Sequence, residues 1–201
     1  MPGELYAFEG PDGVGKSTLA KLLSEHLNRE SIPHELLSFP GNEPHTVSEL
    51  IYRLYHAPQS FGIDSITPLS LQVMVTAAHI EVIESRIKPT LQSGKTVILD
   101  RFWWSTWVYA SLVGVEDRIR NAMIDLEKLV WGSVRPRGVF LIWKELPFQE
   151  EHSDTDRKKL LSLYKQIVAL EKSQYEIHQV PNDGLPSDAL KLILKICTGA
   201  E

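Results

Sequence analysis

The chain has 201 residues, 43% of them hydrophobic, and a formal net charge of −5. That content can bury a large core in one domain, and the acidic balance argues against a general nucleic-acid binder. One cysteine, Cys197, excludes an intrachain disulfide, and no apolar run approaches a membrane span, so a cytoplasmic protein with no membrane or nucleic-acid partner is expected.

Leu5-Tyr6-Ala7-Phe8 reads as a buried strand, and Leu19, Leu22, Leu23 and Leu27 fall at helical spacing. Ser31-Ile32-Pro33 ends that helix, His34 to Phe39 reads as a second strand, and Pro40 to Pro44 as a loop. Val47, Leu50, Ile51 and Leu54 predict a helix, and Pro58 to Thr67 is irregular. A long helix is expected from Pro68 to about Gln92, with Pro89 as a kink and Ser93-Gly94 as its stop. Thr96 to Leu99, ending in Asp100, reads as a central strand. Helices are expected over Phe102–Leu112 and Val115–Trp131, and a buried strand over Gly138–Trp143. Lys144 to Asp156 is polar and irregular. Arg157–Gln174 reads as a helix, Tyr175–Val180 as a weak strand, Pro181–Gly184 as a turn and Pro186–Ile196 as a last helix. Strands alternating with helices predict an α/β fold of three layers, a parallel sheet covered on both faces, in a single domain over 1–201. Cys197, among Leu192, Ile193 and Ile196, reads as a core thiol.

Gly10 to Ser17 carries the pattern G-x-x-x-x-G-K-[ST] between the first strand and the first helix. Such a loop turns its N–H groups inward as an anion nest, reinforced by the helix N-terminus. Gly10, Gly13, Val14, Gly15, Lys16, Ser17 and Thr18 are the candidate nucleotide-binding residues. Lys16 supplies a mobile charge for the β- and γ-phosphates and Ser17 a hydroxyl for Mg²⁺. ATP and Mg²⁺ are the expected cofactors.

Asp100-Arg101 ends an apolar strand, at the edge where ligands bind in open α/β sheets. That edge also takes Phe39-Pro40 and Asn182-Asp183. Alone the dipeptide reads as a surface ion pair. With a phosphate loop in the same chain, Asp100 reads as a Mg²⁺ ligand and Arg101 as a clamp on phosphate oxygens.

Over nearly its whole length the chain resembles thymidylate kinases. The residues that carry this are Phe8 to Thr18, matching F-E-G-x-D-G-x-G-K-S-T; Phe39-Pro40; Ile87 to Gly94, matching I-K-P-x-L-x-x-G; Asp100-Arg101; and Ser105-Thr106-Trp107-Val108-Tyr109 against S-x-x-A-Y. The resemblance implies a phosphate-loop NTPase fold, small-molecule nucleotide substrates, transfer of the ATP γ-phosphoryl group to dTMP, and a homodimer. It implies that Asp12 approaches the acceptor sugar and that Arg101 bridges the acceptor phosphate and the transferred group. Tyr109 would pack on the sugar, Thr106 would lie near the base edge, and Asn182-Asp183 near the adenine. For Tyr109 a core aromatic is the competing account.

Three departures stand out. The stacking Phe and base-binding Arg of the family's long helix fall on Val75 and His79, which lack the flat ring and the guanidinium donors. The loop after Phe39-Pro40 has no arginine. The expected lid, about 144–157, carries Glu145, Glu150, Glu151, Asp154 and Asp156, and its closing cations must come from Arg157, Lys158 or Lys159. These departures make another or modified pyrimidine nucleotide the alternative acceptor, and a nucleotide-binding module of low activity the alternative from a different class. Phe102-Trp103-Trp104 with Trp107 reads as core packing or as a replacement stacking surface. His56, beside Tyr52 and Tyr55, reads as part of a solvated helix face.

Overall fold

A computed structural model of the chain describes residues 3–41, 43–145 and 154–198; the side chains of 154, 155 and 157 lie outside that description. In order run β1 (Leu5–Glu9), α1 (Lys16–Arg29), β2 (His34–Ser38), α2 (Val47–His56), α3 (Pro68–Val82), α4 (Lys88–Gln92), β3 (Thr96–Asp100), α5 (Trp103–Leu112), α6 (Asp117–Trp131), β4 (Gly138–Trp143), α7 (Asp154–Glu171), β5 (Ile177–Pro181) and α8 (Pro186–Thr198). A short 3₁₀ turn, Pro58–Phe61, lies in the stretch expected to be irregular.

The five strands form one parallel sheet in the order β2-β3-β1-β4-β5. β1 is its middle strand, and all five of its residues are buried. Side chains alternate between faces along each strand. Leu5, Ala7, Val97, Leu99, Val139 and Leu141 join a core with α5, α6 and α7. Tyr6, Phe8, Ile98, Phe140 and Ile142 join a second core with α1 and α8. The three-layer arrangement follows directly from that alternation.

Pro89 acts as expected, but upstream. Lacking an N–H, it cannot close the helical bond to the residue four before it. The chain widens into a π turn over Ile83–Ile87 and resumes as α4. Trp103, Trp104 and Trp107 are buried core residues, with Lys128 over the Trp103 ring and Arg120 over the Trp107 ring. They are packing, not a stacking platform. His56 is exposed against Tyr52 and Tyr55, as a solvated helix face requires. Cys197 packs against the second core, and burial pushes its thiol up to about 12, an inert thiol.

Candidate active site

The site forms at the carboxyl ends of β1 and β3. Because β1 pairs with β3 on one side and β4 on the other, the loop after it opens at the middle of the sheet edge. Two glycines there have no substitute. A Cβ on Gly10 (φ +137°) would sit 2.2 Å from the Ile142 carbonyl oxygen, and one on Gly15 (φ +93°) 2.5 Å from Asn182 Nδ2. Asn182 Nδ2 donates to the Val14 carbonyl at 2.7 Å, so this residue buttresses the loop from β5. Val14 itself sends its side chain into the second core, and Gly13, Ser17 and Thr18 are exposed. Asp183 accepts from the Glu145 N–H at 2.6 Å and ties the end of β5 to the residue that follows β4.

Lys16 is buried, and its Nζ donates to the Pro11 carbonyl at 2.6 Å, 4.0 Å from Asp12 Oδ1. Burial, and then the Arg101 cation, push its ammonium down to about 8. Arg101 has φ +73°, a left-handed backbone costly for a side chain with a Cβ. Its N–H is held by the Phe8 carbonyl at 2.9 Å. Its guanidinium pairs with Asp12 Oδ1 through Nη2 and donates to Ser105 Oγ at 3.1 Å through Nη1. Tyr109 O–H donates to the other Asp12 oxygen at 2.6 Å. Burial raises the Asp12 carboxyl, but Arg101, the Tyr109 hydroxyl and Lys16 outweigh it and hold Asp12 below the usual carboxylate range. Burial and the Asp12 charge push the Tyr109 phenol upward, so it stays a donor.

Asp12, Lys16, Arg101, Ser105 and Tyr109 thus form one connected cluster. Tyr109 belongs to this cluster by its hydroxyl, while its ring packs against the first core. Thr106 is buried beside Ser105 in sequence, and its Oγ1 has no hydrogen-bond partner among the described residues. Asp100 Oδ1 is likewise buried and without a partner among the described residues. A Mg²⁺ ion would be held by Asp100 and the Ser17 hydroxyl; a protein donor set this small suits a metal that keeps most of its other ligands as water and phosphate.

A second group lies behind β2. Phe39 stacks on His79 with ring centroids 4.0 Å apart and 12° between planes. His79 Nδ1 is 3.1 Å from Glu127 Oε2, and Trp131 Nε1 donates to Glu127 Oε1 at 3.4 Å. Val75 is half-buried one turn before His79 on α3. Of the expected lid, residues 146–153, with Glu150 and Glu151, lie outside the described residues, as do the side chains of Asp154 and Arg157. Lys158 is exposed, and Lys159 Nζ donates to the Leu112 carbonyl at 3.1 Å.

Three residues escaped the sequence reading. Glu9 is fully buried and accepts from the N–H groups of Gly10, Phe102 and Ser105. A carboxylate closing an otherwise apolar strand was the available signal, since buried charges need partners. Tyr164 on α7 reaches the Gly10 carbonyl at 2.9 Å, and Glu127 on α6 reaches His79; neither has a local signal.

The sequence matches the thymidylate kinase family over residues 8–179. It is 33% identical over 139 residues to a thymidylate kinase of Symbiobacterium thermophilum, a segment that is 68% of this chain and 60% of that one. It is 34% identical over 187 residues to that of Caldanaerobacter subterraneus subsp. tengcongensis, 92% of this chain and 80% of the relative. The fold is similar to the crystal structure of thymidylate kinase from Ehrlichia chaffeensis, with a TM-score of 0.77 at 22% identity over 98% of this chain and all of that one. The family match starts inside β1 and ends inside β5, so it spans the phosphate loop, the Asp100-Arg101 strand end and α5 in one stretch. The chain belongs to the thymidylate kinase family.

Proposed function

We propose that the protein transfers the γ-phosphoryl group of ATP to a nucleoside monophosphate, with dTMP the leading acceptor. The observation that carries this is the joining of Arg101 to the phosphate loop through Asp12, beside Lys16. In the reaction an acceptor phosphate oxygen bonds to the γ-phosphorus while the bond to the β,γ-bridging oxygen breaks. ADP leaves and a nucleoside diphosphate forms. Such transfer depends on cations placed around the spreading equatorial charge. Lys16 lies in the loop that would take the β- and γ-phosphates, and Arg101 faces it across Asp12. Asp100 and the Ser17 hydroxyl would hold Mg²⁺, which would supply neutralisation of phosphate charge. Asp12 and Tyr109 together offer a carboxylate and a hydroxyl where an acceptor sugar would rest.

The second reading, a kinase for another or modified pyrimidine nucleotide, is favoured by His79. Its ring face is taken by Phe39 and its Nδ1 by Glu127, which leaves one imidazole nitrogen where the family offers a guanidinium. The working arrangement is taken to be one domain with a lid over about 144–157, a homodimer in the cytoplasm. Among the described residues no helix is long and apolar enough to cross a membrane.

ADP release from ATP and Mg²⁺ is to be measured with dTMP, dUMP, dCMP and modified pyrimidine monophosphates in turn. Acceptor-dependent release led by dTMP is expected. Release that ignores every acceptor, or ATP binding without release, would return the chain to a nucleotide-binding module.

A further inference from the structure

Glu9 stands directly before the phosphate loop, and the mechanism above gives it no task. It has no exposed surface. Its Oε1 accepts from the Phe102 N–H at 2.8 Å and the Ser105 N–H at 2.9 Å. They lie at the N-terminus of α5, which has no side-chain cap of its own, and the Ser105 N–H also reaches the Phe102 carbonyl at 3.1 Å. Its Oε2 accepts from the Gly10 N–H at 3.1 Å and from Ser105 Oγ at 2.9 Å, with the Tyr164 hydroxyl 3.2 Å away. One carboxylate therefore joins the loop, the start of α5 and α7.

The Ser105 hydroxyl has a single proton, and Glu9 takes it. Its lone pairs are left to accept from Arg101 Nη1 at 3.1 Å. Arg101 lies between Asp100 and Phe102 in a left-handed conformation, which persists only where its surroundings determine it. Glu9 fixes the residue after it through the Phe102 N–H, and one end of its guanidinium through Ser105.

We infer that Glu9 is a positioning residue for phosphoryl transfer, acting through the Ser105 hydroxyl to aim Arg101 at the phosphates. The inference rests on the kinase reading for its consequence, but not for its geometry. Glu9→Gln is nearly isosteric and isolates the effect. Its carbonyl can keep the Phe102 and Ser105 N–H groups, but its NH₂ then faces the Gly10 N–H and the Ser105 hydroxyl. Ser105 then accepts from that NH₂ and loses the acceptor that fixed its proton, so its hydroxyl is no longer held with a lone pair aimed at Arg101. A misaimed cation costs rate out of proportion to the displacement.

The experiment is a double-mutant comparison in the full-length chain, with Glu9→Gln and Ser105→Ala each made in wild type and in Arg101→Ala. The expected result is a kcat lower by about tenfold to a hundredfold in wild type, and by no more than about twofold in Arg101→Ala, with ATP affinity unchanged. Equal losses in both backgrounds, or a smaller folded fraction with kcat per folded molecule intact, would overturn the inference. If Glu9→Gln does not fold, Ser105→Ala decides alone, since it cuts the relay and leaves the carboxylate in place. If wild type transfers nothing to any acceptor, the kinase reading fails by itself. The relay is then read from the guanidinium ¹⁵N signals of Arg101, identified by their loss in Arg101→Ala. Resolved Nη1 and Nη2 signals that average in Ser105→Ala support it, and signals unchanged by that substitution overturn it.

Discussion

His79 and Glu127 meet 3.1 Å apart with almost no exposure, an imidazole and a carboxylate held together inside the protein. Glu127 accepts only, so the proton between them sits on Nδ1, and Nε2 is the one polar atom that His79 can offer an acceptor base. Replacing His79 by Ala takes one of two hydrogen-bond partners from the fully buried Glu127 and leaves it Trp131 Nε1 at 3.4 Å, which costs on the order of 1–3 kcal/mol. His79→Ala is therefore expected to lower the melting temperature. His79→Gln, which can still donate to Glu127, is expected to keep more of that stability while changing the ratio of kcat/KM between dTMP and dCMP. Both are read by thermal unfolding and by acceptor kinetics. An unchanged ratio in a folded Gln variant would remove His79 from base recognition.

Arg101 combines a strained backbone with an ion pair to a half-exposed carboxylate. Arg101→Gly relieves the left-handed strain, a gain of about 1 kcal/mol, against loss of the pair with a half-exposed Asp12. The two nearly cancel, so the melting temperature should move little. Loss of an oriented transition-state cation should lower kcat by roughly a hundredfold or more. A large fall in thermal stability with kcat per folded molecule intact would make Arg101 a structural ion pair.

The fold was legible because its signals are local and repeated. Each central strand is a short apolar run, and the Gly10–Ser17 loop, Pro89 and Ser93-Gly94 mark boundaries by backbone chemistry alone. The glycine-rich loop between β1 and α1 was legible for the same reason. Arg101 was placed by the strand end that it follows, and Thr106 and Tyr109 only by the resemblance to thymidylate kinases. Asn182 was expected near a nucleotide base, yet its amide holds the Val14 carbonyl. That role depends on β4–β5 pairing, which no local pattern displays. The partnership of His79 with Glu127 spans 48 positions in sequence, and that of Tyr164 with Gly10 spans 154. Only the packed helices bring these pairs together, and a Trp-rich run that invites a functional account turns out to fill a core.

Asp12 gives the protein an acid-sensitive contact. Its folded-state pKa lies below its unfolded value, so its contribution is full above about pH 4, the unfolded range, and is lost as pH falls through the lower folded value. Asp12→Asn should flatten the decline in stability below about pH 4 by a small amount, since the carboxylate is half exposed. Urea unfolding at several acid pH values reads this directly. A variant whose decline parallels wild type would show that the Arg101 pair contributes nothing to stability.

The lid cations divide by their contacts. Lys159 is bound to the Leu112 carbonyl near the C-terminus of α5, where a cation is favoured by the helix dipole. Lys159→Ala alone should cost a few tenths of a kcal/mol and little activity. If closure draws its charge from this region, the joint replacement of Arg157, Lys158 and Lys159 by Ala should lower kcat at saturating nucleotide by about tenfold. A triple variant with full kcat would show that closure takes its cation from elsewhere.

Lys16 is expected to set the alkaline limit of the free protein. Burial and Arg101 push its ammonium down to about 8, so it loses its proton as pH rises through that value. The sign for stability is fixed by the same shift. The unfolded chain binds the extra proton between about 8 and 10.4, so folding is favoured, not weakened, as pH rises across that window. Activity moves the other way. The triphosphate needs the charged form, and kcat/KM for ATP, which reports the free enzyme, should fall about tenfold per pH unit above pH 8. Bound phosphates favour the ammonium and raise its pKa, so kcat at saturating ATP should stay level beyond the point where kcat/KM has begun to fall. Lys16→Arg carries a charge that does not titrate in this range and should abolish the limb in whatever activity it retains, while Lys16→Ala should abolish transfer without unfolding the protein. A kcat/KM profile flat to about pH 9, or a limb retained in Lys16→Arg, would assign the alkaline limit to another group.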